Sequence, residues 1–179
     1  MKTTSTLKAI AIATLLASCS GSSSLTVPNG SPAGSPGSRS TYSRPIVWQG
    51  GEPSPTAQKI VAFVAKNKGK RVGDGQCWGL INLAYRAAGI KHRGGRVWGR
   101  RVNWQKEGVR PGDIIEFEYA RYPYAYTDAN HTAIIMKVAD RNSVLVAHQH
   151  WNGKFKVTMT TIPLTYLRSG KQIVYRYEP

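Results

Sequence analysis

The chain has 179 residues, of which 41 % are hydrophobic, and a formal net charge of +16 from 25 Lys and Arg against nine Asp and Glu. That length admits one domain with appendages, and the apolar content suffices for a core, which excludes a chain disordered throughout. The excess of cations points to anionic polymers or surfaces as partners.

The N-terminus reads as an export leader. Lys2 and Lys8 precede the apolar run Ala9-Ile10-Ala11-Ile12-Ala13-Thr14-Leu15-Leu16, which is too short for a permanent bilayer span. The run ends in Leu16-Ala17-Ser18-Cys19, which resembles the lipobox of bacterial lipoproteins. The resemblance implies removal of residues 1–18, a diacylglycerol thioether on Cys19 and an acylated new N-terminus, hence a stable membrane anchor. Ser20 follows the cysteine, which in a Gram-negative host implies the outer membrane. Loss of Lys2 and Lys8 takes the charge from +16 to +14, and all nine acids lie beyond residue 50. Residues 19–45, rich in Gly, Ser, Pro and Thr, cannot build a core and read as a flexible tether. The folded domain is expected over residues 46–179. For an exported chain, wall polymers, lipopolysaccharide and anionic lipid come before nucleic acid as partners.

With Cys19 committed to lipid, Cys77 is the one thiol left, and no intramolecular disulfide can form. Ser54-Pro55 is a cap and first turn, followed by the apolar face Ala57, Ile60, Val61, Val64 and Ala65 and the stop Gly69. A second helix follows Gly73-Asp74-Gly75-Gln76-Cys77-Trp78-Gly79-Leu80-Ile81, with Leu80, Ile81, Ala84, Ala87 and Ala88 at helical spacing and Gly89 beyond them. Cys77 therefore falls at a helix N-terminus, where unpaired N–H groups and the macrodipole favour a thiolate. A lone cysteine there equally suits packing under the helix.

Residues 90–110 carry Lys91, Arg93, Arg96, Arg100, Arg101, Lys106 and Arg110, with Trp98 and Trp104 among them. Such interleaving can mark single-stranded nucleic-acid or glycan contact. It reads here as a solvated loop whose tryptophans close the core, and as a source of attraction to an anionic polymer. From the turn Pro111-Gly112-Asp113 the pattern becomes strands: Ile114–Glu118, a Tyr-rich loop with Tyr119, Tyr122, Tyr124 and Tyr126, His131–Val138, the turn Asp140-Arg141-Asn142, and Val144–Trp151. Asn152-Gly153 signals a hairpin before Phe155–Met159, and a last strand spans about Ile173–Tyr177. Helices first, then about five antiparallel strands, is an α+β class.

His131 opens one strand and His148 ends near the close of the next; alternation puts His148 and His150 on one side and Gln149 on the other. A cysteine at a helix start, a strand entered through Arg110-Pro111-Gly112-Asp113-Ile114-Ile115, and a strand opening His131-Thr132-Ala133-Ile134-Ile135 together resemble the NlpC/P60 superfamily, including its CHAP branch. Gly75-Gln76-Cys77 is similar to the CHAP form, and Cys77-Trp78-Gly79-Leu80-Ile81 to the Cys-Ser-Gly-Leu-Val of NlpC/P60. His148-Gln149-His150-Trp151-Asn152-Gly153 stands where CHAP domains carry Glu-x-Asn and NlpC/P60 proteins a His. The likeness covers roughly residues 55–160. Trp78 departs from it by bulk, the Glu-x-Asn pair is absent, and the Tyr-rich loop is long.

The resemblance implies a papain-like fold and a cysteine peptidase or amidase acting on cell-wall peptides. In such a site His131 takes the Cys77 proton, the thiolate attacks a peptide carbonyl, and Gln76 with the Cys77 N–H holds the oxyanion. His131 then protonates the leaving amine, while His148 orients its ring, with His150 in reserve. His92 reads as a surface residue. Cys77, His131, His148 and His150 are possible zinc ligands by type, but no short Cys-x-x-Cys or His-x-x-x-His spacing is present, so neither metal nor cofactor is expected. The expected protein is a monomeric, lipid-anchored wall hydrolase. The rivals are a non-catalytic wall-binding lipoprotein and an acyltransferase using the same cysteine.

Overall fold

A computed structural model describes residues 46–91, 98–123 and 130–179. The leader, Cys19, the tether up to residue 45, His92, Arg93, Arg96, Tyr124 and Tyr126 lie outside the described residues. Two helices come first. Helix α1 (Pro55–Lys66) starts where the Ser54 hydroxyl accepts the Ala57 N–H at 3.2 Å, and it buries Ile60 and Val64. Ala65, placed on that face by the spacing, is exposed. Helix α2 (Cys77–Ala87) opens on the cysteine itself and buries Leu80, Ile81, Ala84 and Tyr85; Ala87 faces solvent and Tyr85 takes its place in the core.

The sheet has six strands rather than about five. They are β1 (Arg100–Val102), β2 (Ile114–Arg121), β3 (Asn130–Asp140), β4 (Ser143–His148), β5 (Thr158–Ile162) and β6 (Ser169–Arg176), in the order β1-β6-β2-β3-β4-β5. Every neighbouring pair is antiparallel. The extra strand, β1, and a four-residue helix α3 (Trp104–Glu107) lie in the basic stretch read as loop. Trp98 and Trp104 do close the core there, while Arg100, Arg101 and Lys106 are exposed. Strand β2 runs on through Tyr119, so part of the expected Tyr-rich loop is strand, and Tyr122 is buried.

Alternation along the strands splits the core in two. Ile114, Ile134 and Ala147 meet α1 and α2, whereas Ile115, Phe117, Ala133, Ile135, Val144 and Val146 fill the opposite face. Two turns fix the register. At Arg110–Asp113 the Asp113 carboxylate accepts the Arg110 N–H at 2.7 Å, and Gly112 has φ +90° with Ala57 only 2.7 Å from where a Cβ would stand. At Asn152-Gly153 both residues have positive φ and the Lys154 N–H bonds the Trp151 carbonyl, the two-residue hairpin that Asn-Gly predicts. Among the described residues no helix is long and apolar enough to cross a membrane.

Candidate active site

Cys77 is the first residue of α2 and is half-buried. Its N–H belongs to the first turn, whose donors have no intrahelical partner. The preceding loop is held from both ends. Asp74 Oδ1 accepts the Gln76 N–H at 2.9 Å, and Gly79 must lack a side chain because a Cβ would stand 2.3 Å from that same oxygen. Gln76 is the N-cap residue, yet its side-chain amide caps nothing. Trp78 projects outward and is 52 % exposed, so its bulk lies beside the thiol at the surface rather than beneath it.

His131 is the second residue of β3 and His148 the last of β4, both on the sheet face that carries Phe117. His131 Nε2 and His148 Nδ1 are 2.9 Å apart, and His148 Nε2 lies 2.9 Å from Thr160 Oγ1 on β5. The Trp151 ring lies 4.7 Å from each imidazole, and the Phe117 ring stacks on His131 at 6.3 Å. With His131 6 % and His148 0 % exposed, burial drives their pKa values down from 6.5 to about 3 and about 4, and the His148 and His150 rings further disfavour charge on His131. At neutral pH the dyad is therefore uncharged. Each ring then has one N–H and one lone pair, and the order of donation along His131, His148 and Thr160 becomes a chemical choice.

His150 does not join them. Strand β4 ends at His148, and His150 sits at φ +55°, exposed, with its ring stacked on Phe155 at 4.6 Å. The alternation that paired it with His148 stops one residue too early, because the chain is already turning into the Asn152-Gly153 hairpin. The Arg71 guanidinium lies over the Phe155 ring, 6.0 Å from its centroid. The residue between the histidines has the role that was missed. Gln149 is fully buried; its Oε1 accepts the Val72 N–H at 2.8 Å, and its Nε2 donates to the Val72 carbonyl at 2.9 Å and the Gln76 carbonyl at 3.1 Å. The residue after His148 is thus bonded to the residue before Cys77, which sets the start of α2 at the end of the sheet where the two histidines stand. The signal was present in the sequence, since alternation turned Gln149 toward the helices. Thr160 carried no such signal, because the expected strand ended at Met159.

The structure brings His131 and His148 into contact, and through Gln149 it bonds the residue before Cys77 to the residue after His148. Among the described residues no hydrogen bond joins Cys77 to either histidine, and no cluster of His, Cys, Asp and Glu could hold a metal ion.

A family model for the AIM3/BBC1 cysteine proteinase-fold domain matches residues 54–179. The chain belongs to this family. The matched span contains Cys77, His131, His148, Gln149 and Thr160, and the expected cysteine-peptidase class holds at the level of the fold. Two crystal structures of Ly7917, one of them with the hydrolyzing product of MDP, are similar at 18 % and 19 % identity and a TM-score of 0.45. The likeness covers 66 % of this chain and 62 % of theirs, so it spans less than two thirds of their length. No curated protein gives a match.

Proposed function

We propose that the domain is a thiol hydrolase that cleaves amide bonds in peptidoglycan peptides, of the NlpC/P60 and CHAP kind, with Cys77 as nucleophile and His131 as base. The observation that carries this reading is the hydrogen-bonded His131–His148 pair at the sheet end where α2 opens on Cys77. Burial keeps His131 neutral and weakens it as a base at rest, so the Cys77 proton is transferred only as attack proceeds. His131 uses Nε2 toward His148, which leaves Nδ1 to take the thiol proton. The thiolate adds to the carbonyl carbon of the peptide, and the C–O bond order falls to an oxyanion held by the Cys77 N–H and the uncommitted Gln76 amide. Collapse expels the amine, which leaves with the proton from His131, and water hydrolyses the acyl-enzyme. Trp78, His150 and Phe155, around the Cys77 loop, form an aromatic rim for the substrate. The proposal includes a lipid anchor on Cys19 and residence in the bacterial envelope, supported by the lipobox-like Leu16-Ala17-Ser18-Cys19.

The test is alkylation of Cys77 by iodoacetamide across pH, followed by digestion of isolated peptidoglycan. Alkylation that slows in His131→Ala, with digestion abolished in Cys77→Ala, is the expected outcome. A thiol that titrates identically with and without His131 overturns it. A second reading, a wall-binding protein acting through its cations, is favoured by the net charge of +16 and by the lack of a hydrogen bond between Cys77 and His131 among the described residues. Salt-sensitive wall binding in an otherwise inert protein, unchanged in Cys77→Ala, would select that reading, and incorporation of an added amine would select a transferase.

A further inference from the structure

We propose that Thr160, on strand β5 at the sheet edge, is a positioning residue that sets the tautomer of both histidines by accepting the Nε2–H of His148. The proposal rests on His131 being the base. Its geometry is a chain of two hydrogen bonds, each 2.9 Å, from His131 Nε2 through His148 Nδ1 and Nε2 to Thr160 Oγ1. His148 is fully buried, so neither of its nitrogens has water to turn to.

In a neutral imidazole only one nitrogen carries hydrogen, so the two bonds of His148 must run in the same sense. One sense is His131 Nε2–H to His148 Nδ1, then His148 Nε2–H to Thr160. It leaves the lone pair of His131 Nδ1 bare, which a base at that nitrogen requires. The opposite sense has Thr160 donating to His148 and His148 donating to His131. It puts hydrogen on His131 Nδ1 and removes the basic site. Among the described residues no carboxylate bonds either imidazole, so the usual device of a negative charge at the end of the triad is not found there. A hydroxyl that accepts takes its place. When His131 receives a proton at Nδ1, its Nε2–H is already directed at a lone pair, and no ring has to turn.

Replacing Thr160 by valine keeps a β-branched side chain in the strand and deletes the acceptor. A buried N–H without a partner is less tolerated than a bare lone pair, so His148 moves its hydrogen to Nδ1 and donates to His131. His131 must then carry its own hydrogen at Nδ1. Both tautomers invert through one hydroxyl.

The experiment is two-bond 1H–15N NMR of the full chain labelled in histidine, which has only four histidines to assign, alongside Cys77 alkylation by iodoacetamide. In the parent protein, hydrogen is expected on Nε2 of both His131 and His148. In Thr160→Val both rings are expected to show hydrogen on Nδ1, with alkylation slowed about tenfold or more, as for loss of a general base. Thr160→Ser, which keeps the hydroxyl and guards against a folding defect, should restore both readouts. Parent tautomers in Thr160→Val, or hydrogen on His148 Nδ1 in the parent, overturn the proposal. Tautomers that invert without any change in alkylation uphold the role of Thr160 and instead count against His131 as the base.

Discussion

Burial holds His131 and His148 neutral in the folded chain, with pKa values of about 3 and about 4, whereas in the unfolded chain each titrates near 6.5. Below that value the unfolded state binds the extra protons, so the stability these groups contribute is complete above it and is lost as pH falls toward 4 and 3. The expected slope is about 1.4 kcal/mol per pH unit for each histidine inside the window. Urea unfolding at pH 7.5, 6 and 5 should show it, and His148→Gln should flatten the curve by one titrating group. Stability indifferent to pH over that range would mean that the dyad is hydrated. Gln149 supports a second prediction. In Gln149→Leu the buried Val72 N–H loses its partner, while the Val72 and Gln76 carbonyls keep the Gly75 and Leu80 N–H groups, so a loss of about 1–3 kcal/mol is expected in the same unfolding assay. Cys77 alkylation should at the same time lose its dependence on His131. At this scale the sequence was legible wherever a single residue met a local rule. Cys77 at the helix start and His131 at the strand start followed from periodicity and turn signals. His150 did not, because alternation holds only while a strand lasts, and the Asn152-Gly153 turn is too close for β4 to continue.

Among the elements, β5 runs Thr158–Ile162 where Phe155–Met159 was expected, but the two early helices, strands β2 to β4 and the second half of β6 were readable because each shows an apolar period bounded by Gly, Pro or Asn. Strand β1 was not. Arg100-Arg101-Val102 is three residues long with one buried side chain, so it has no alternation to read; its pairing with β6 decides its conformation. The same blindness covers Asp113. The sequence marks it as a turn residue, but its main partner is 63 residues away: Arg176 donates Nε to Oδ1 at 2.9 Å and Nη2 to Oδ2 at 2.8 Å, both groups buried. This pair locks the entrance of β2 to the end of β6. Arg176→Met should destabilise by about 3–5 kcal/mol by leaving the Asp113 carboxylate buried and unpaired. The double variant Asp113→Asn, Arg176→Met should recover part of that loss in thermal unfolding, whereas two independent contributions would simply add.

For the whole molecule, a charge of +16 in which every acid lies beyond residue 50 is the basis of the proposed attraction to anionic polymers. Retention on isolated peptidoglycan should fall between 50 and 500 mM NaCl in the parent and in Cys77→Ala alike, because screening acts on the surface and not on the thiol. Fractionation of expressing cells should find the parent with the membranes and Cys19→Ser in the soluble fraction; equal partitioning would remove the anchor from the reading.

The bond between Gln149 and Val72 has a consequence in time as well as in space. Its partners stand 77 residues apart, while α1 and α2 adjoin along the chain. Contacts of such separation close late, since the loop entropy must be met before the contact repays it. A growing or refolding chain can thus wind the helix that begins with Cys77 well before β4 exists to clamp the loop ahead of it. Until the fourth strand arrives, the loop ahead of Cys77 is unclamped, and a chain cut short of Gln149 carries the proposed nucleophile and base without the bonds that set one against the other.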